Sequence, residues 1–132
     1  MVESHFAENA LKYLEVGYEE AEILLDNPEK MNRFLARLDK KMDSFPNNEP
    51  HLAGVSMLAE LLKNYVQGLF PDVKRQSLVA VVSALYYVVS PFDLIPDRKR
   101  AGFEDDGAIV AQARKVAEED LDHFLLWRNK QR

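Results

Sequence analysis

Apolar residues recur at three- and four-residue steps through most of the chain, and no stretch alternates apolar with polar as a half-buried strand would. From about Glu3 to Asp26, Phe6, Ala10, Leu14, Tyr18, Ala21 and Leu25 share one face, while Glu8, Lys12, Glu15, Glu19, Glu22 and Asp26 line another. The spacing predicts an amphipathic helix with an acidic outer stripe. Asn27-Pro28 closes it and opens a second helix, because proline suits a first helical turn; Asp26 and Glu29 have the spacing of a capping box. The second helix is predicted to reach about Phe45, with Met31, Phe34, Leu35, Leu38 and Met42 inward and Arg33, Arg37, Lys40 and Lys41 outward. An antiparallel hairpin of the two would set the basic face beside the acidic one, at ~0–1 kcal/mol per exposed pair.

Pro46-Asn47-Asn48-Glu49-Pro50 is an ordinary helix connection, too short to separate domains. A third helix is predicted from about His51 to Phe70, carrying Val55, Met57, Leu58, Leu61, Leu62, Val66 and Leu69. Phe70-Pro71-Asp72 stops it, with Asp72 placed to cap a fourth helix from Val73 to about Ser90. That fourth helix is apolar nearly all the way round, the mark of a helix surrounded by the others. A fifth begins at Glu104-Asp105-Asp106, with Ile109, Ala113, Val116, Phe124 and Trp127 on its inner side. The expected architecture is a compact all-α domain over residues 1–132, about five helices around a buried central apolar one.

Composition narrows the function classes. At 132 residues with 47% apolar and 30% charged residues, the chain can bury a core of its own. Its formal net charge of -5 argues against a general nucleic-acid binder, which needs a basic footprint. The absence of cysteine excludes disulfides, thiolate catalysis and thiolate zinc sites. Met1-Val2-Glu3-Ser4-His5 lacks the features of a secretory signal, and the Leu78–Val89 run is shorter than the ~20 apolar residues of a spanning helix, so a cytoplasmic location is expected. His5, His51 and His123 are scattered, and Asp120 with His123 has carboxylate–histidine spacing without the second such motif a di-iron bundle requires. No phosphate-binding glycine loop or nucleophile elbow is present.

The unusual chemistry lies after the fourth helix. Ser90-Pro91 ends that helix, since proline disfavours helical geometry in the residue before it. Asp93, Pro96 and Asp97 follow, then the basic Arg98-Lys99-Arg100, then Gly102 and the acidic Glu104-Asp105-Asp106. One reading makes these carboxylates caps and turn formers, with Asp105 and Asp106 at the positive end of the fifth helix. The other makes Asp93, Asp97, Asp105 and Asp106 a site for Mg²⁺ or Ca²⁺, hard cations that take several oxygen ligands. Arg98, Lys99 and Arg100 are the internal counter-charges that compete with such an ion.

Tyr87-Val88-Val89-Ser90-Pro91-Phe92-Asp93-Leu94-Ile95-Pro96-Asp97, followed by Gly102 and Asp105-Asp106, resembles the signature of the YkvA-like family of bacterial proteins. The resemblance spans about residues 77–113. It implies a helical fold and a motif of Ser90, Pro91, Asp93, Pro96, Asp97, Gly102, Asp105 and Asp106, but no reaction. The family loop before the glycine is apolar, whereas Arg98-Lys99-Arg100-Ala101 is polar. The leading expectation is a non-enzymatic helical interaction or regulatory module, with a protein partner or a second copy of itself docking on surplus apolar residues of the third and fourth helices. A metal-dependent protein using the four aspartates is the first alternative. Peripheral membrane contact through Arg98, Lys99 and Arg100 is the second. No cofactor beyond the divalent cation, and no nucleic acid, is expected.

Overall fold

The computed structural model describes residues 10–45, 52–89 and 102–131, with side chains of the last segment from residue 107 onward. Seven helical segments lie among the described residues: α1 (10–16), α2 (Tyr18–Leu25), α3 (Pro28–Asp43), α4 (Leu52–Val66), α5 (Arg75–Val89), α6 (Gly102–Val116) and α7 (Glu118–Lys130). No strand is present among them. The expected all-α bundle is correct, and the expected count of about five is too low.

Two bends account for the difference. At Gly17 the backbone leaves helical geometry (φ -90°, ψ 2°), and Gly17 N donates to Leu14 O at 3.2 Å in a tightened turn. Ala21 N still donates to Gly17 O at 2.9 Å, so α1 and α2 form one bent rod. Ala117 does the same between α6 and α7 (φ -97°, ψ 13°), with Ala117 N on Ala113 O at 2.9 Å and Leu121 N on Ala117 O at 2.8 Å. Both bends keep the apolar register, so Leu14 and Ala21 on one rod, and Ala113, Ala117 and Leu121 on the other, remain buried.

The helix ends correct four further expectations. The N-cap of α3 is Asn27, whose side chain accepts from Lys30 N at 3.1 Å; Asp26 instead closes α2. Helix α4 ends at Val66, short of Phe70. Gly68, at φ 78°, puts its N–H on Tyr65 O at 3.0 Å and lets Leu69 N reach Asn64 O at 2.9 Å. This is the Schellman geometry that a left-handed glycine permits. It turns Phe70 inward, against Phe124 and Trp127 with ring centroids 5.3 Å from each. Helix α5 begins at Arg75, later than a cap at Asp72 would place it, and α6 begins at Gly102, ahead of Glu104.

Helix α5 is the axis of the bundle. Its buried residues are Ser77 through Leu85, Tyr87 and Val88, and α2, α3, α4 and α6 all pack on it. The most extensive of these contacts is with α6. Ser83, the polar group in the middle of this apolar run, donates its hydroxyl to Leu14 O at 2.5 Å, a carbonyl next to the Gly17 bend. Of the apolar residues expected to form a partner face, Val55, Leu58, Leu61 and Leu62 of α4 join the same core, while Val66 and Leu69 are exposed. Among the described residues no helix is long and apolar enough to cross a membrane.

Candidate functional site

At the C-terminal end of α5 the chain runs from Val89 into the Ser90–Ala101 stretch. Ser90, Pro91, Asp93, Pro96 and Asp97, together with Arg98, Lys99 and Arg100, lie outside the described residues. Gly102, Asp105 and Asp106 are on α6, as its first, fourth and fifth residues, and their side chains also lie outside. The reading of four aspartates around Mg²⁺ or Ca²⁺ therefore rests on the sequence. Among the described residues no three histidine, aspartate or glutamate side chains form a group that could hold a metal ion.

What the structure does place at this end is α3. The rings of Phe34 and Tyr86 stack at 5.8 Å and 14°, fixing α3 against the last turn of α5. Met31, Phe34 and Leu38 are its buried residues. At 3.6 residues per turn, Lys30, Arg33, Arg37, Lys40 and Lys41 fall within about 100° of one another, a single exposed stripe flanking the buried row. Asp39 lies on the far side of the helix and pairs with Lys63 of α4. Among the described residues, Arg37, Lys40, Lys41, Ser44 and Val89 line an open groove of about 320 Å³. The Ser44 hydroxyl is already engaged, donating to Lys41 O at 2.6 Å.

The acidic stripe of the first rod has a different partner from the one its sequence suggests. Glu22 and Asp26 meet Arg75 of α5, each at 3.1 Å. Both carboxylates raise the Arg75 pKa, the hydrogen bond to Glu22 most of all.

A second polar cluster sits where α5 and α7 begin. Asp120 is buried in the first turn of α7 and accepts from the backbone N–H of Lys74 at 3.2 Å. The Lys74 ammonium lies 3.1 Å from Glu119, and the hydrogen bond to that carboxylate raises its pKa. Asp120 thus ties two helix starts together, a role its spacing to His123 did not reveal. His123 is exposed, as its isolation suggests. Arg128 meets both carboxylate oxygens of Glu60, at 2.7 and 3.0 Å, closing α7 onto α4. These contacts hold helices together, whereas Lys30, Arg33, Lys40 and Lys41 of the α3 stripe are exposed to solvent.

The family comparison falls on nearly all of α5, the motif and the larger part of α6. Residues 77–111 match the family described as "Protein of unknown function (DUF1232)". The chain is 25% identical over 83 residues to the "Uncharacterized membrane protein YkvA" of Bacillus subtilis (strain 168), an alignment covering 62% of this chain and 78% of that one. Residues 77–111 are thus similar to that family. No solved structure matches the chain. The YkvA-like segment comprises nearly all of α5 and the larger part of α6, the pair of helices with the most extensive mutual contact in the bundle.

Proposed function

We propose that the chain is a non-enzymatic helical interaction module that works at the face of a membrane, held there from one side. The observation that carries this reading is the exposed basic stripe of α3, fixed beside the point where α5 runs into the YkvA-like motif. Two facts support it. The Bacillus subtilis relative is named a membrane protein, and no described helix here is long and apolar enough to cross a membrane. Attachment from one side reconciles them, because basic residues near an anionic leaflet each contribute about 1 kcal/mol without any insertion. Arg98, Lys99 and Arg100, next in sequence after the motif, add to the same attraction.

The test is flotation of the full chain with vesicles. The parent is expected to float with phosphatidylcholine vesicles containing phosphatidylglycerol, to stay behind with phosphatidylcholine alone, and to be released by salt as the Debye length shrinks. Recovery of the protein in the soluble fraction under every condition would refute the reading.

A further inference from the structure

We infer that the α3 stripe is itself the membrane-docking surface, with the groove beside Lys40, Lys41 and Val89 receiving the phosphate of an anionic phospholipid headgroup. This rests on the membrane-surface reading and names the contact, which is distinct from the Arg98-Lys99-Arg100 loop.

Charge distribution is the first argument. Helix α3 carries five basic residues (Lys30, Arg33, Arg37, Lys40, Lys41) and three acidic ones (Glu29, Asp39, Asp43), a balance of +2. The whole chain is -5, so the other residues together carry -7. Five of the chain's 17 basic residues therefore share one exposed stripe of one helix, in a chain whose remainder is net negative. A flat anionic surface suits that pattern, because it meets one side of the protein and charges beyond about 8 Å are screened at physiological salt. Nucleic acid suits it less, since a binder of that kind needs a broad basic footprint.

Geometry is the second argument. From Lys30 to Lys41 the stripe runs about 16 Å along a straight helix, at 1.5 Å per residue. Stacking of Phe34 on Tyr86 and burial of Met31 and Leu38 keep it from rotating. The groove lies at the C-terminal end, where Lys40 and Lys41 occupy the last turn and Val89 supplies an apolar wall. A headgroup phosphate entering there meets the Lys40 and Lys41 ammonium groups, which bind phosphate through charge-assisted hydrogen bonds.

The experiment compares three variants of the full chain by vesicle flotation. Each basic side chain removed from the contact should weaken binding about fivefold, so Arg33→Gln, Lys40→Gln and Lys41→Gln together should weaken it roughly 100-fold. Arg98→Gln, Lys99→Gln and Arg100→Gln should have a smaller effect. Glu15→Gln with Glu19→Gln, which changes net charge but not the stripe, should leave binding within about twofold. An unchanged melting temperature in the α3 variant separates lost docking from lost folding. If the α3 variant floats as well as its parent while the loop variant does not, the inference fails and the membrane reading survives. If the parent itself never binds anionic vesicles, both fail. If the Glu15/Glu19 variant shifts binding as far as the α3 variant does, net charge alone is responsible and the docking surface is refuted. Preference of the parent for a DNA duplex over the vesicles would also overturn it.

Discussion

Helices α3 and α5 are nearly equal in length, 16 and 15 residues, and stack on one another through Phe34 and Tyr86, yet their relation to water is inverted. Eleven residues of α5 are buried and three of α3 are. In α5 every direction is occupied by another helix, so nearly every side chain is constrained by volume. In α3 one narrow row is constrained in that way, and the remaining surface can carry charge at little cost to the fold. The YkvA-like segment contains the constrained helix, whereas the stripe proposed to meet the membrane lies on the unconstrained one. What maintains the bundle and what is proposed to meet the membrane are thus separated onto neighbouring helices.

The sharpest break of this comparison is a cavity in α5. Leu85 is fully buried. Leu85→Ala removes that packing and should cost about 2–5 kcal/mol, a large share of the roughly 5–15 kcal/mol typical of a folded domain. Urea unfolding followed by circular dichroism should show the midpoint fall accordingly. A loss below about 1 kcal/mol would mean that α5 is not the tightly packed axis described. A smaller effect is expected where α3 begins: Asn27→Ala removes the side chain that accepts from Lys30 N and should cost about 1 kcal/mol. Asp26→Ala, at the position that resembles the capping box in sequence, should cost less, because another residue does the capping.

Much of this inversion is legible in the sequence, and the exceptions have common causes. The uninterrupted apolar run from Leu78 to Val89 identifies α5 as central because a helix without a polar face has nowhere else to go. The basic face of α3 is equally plain, although the acidic residues Glu22 and Asp26 turn out to face Arg75, a pairing fixed by tertiary placement alone. The bends at Gly17 and Ala117 leave no trace in the pattern, since a bend that preserves the three- and four-residue rhythm alters no side chain's face. Asp120 is hidden for a related reason. An acidic residue in a first helical turn is ordinary in sequence, and only the approach of the Lys74 backbone makes it a buried link. Asn27 and Asp26 are both good caps, and the choice between them depends on one residue of register. Of the candidate site, the basic face of α3 reads in the sequence as the rim of a helical hairpin and not as a site, while the aspartates of the motif are read from the sequence alone.

The smallest effect tests the other side of the comparison. Lys40 and Lys41 lie exposed in the last turn of α3, where positive charge offsets the negative end of the helix dipole. Glutamine has a helix propensity close to that of lysine, so Lys40→Gln with Lys41→Gln removes charge while nearly preserving backbone preference. Together the two substitutions should cost no more than about 1 kcal/mol at low ionic strength. The cost should shrink as salt screens the dipole, whereas the cost of Leu85→Ala, which arises from packing, should not depend on ionic strength in this way. Urea midpoints for both variants at low and high salt would separate the two kinds of loss. A large, salt-independent destabilisation by the lysine pair would show that these side chains pack into the bundle, and the stripe would then belong to the fold and not to a partner.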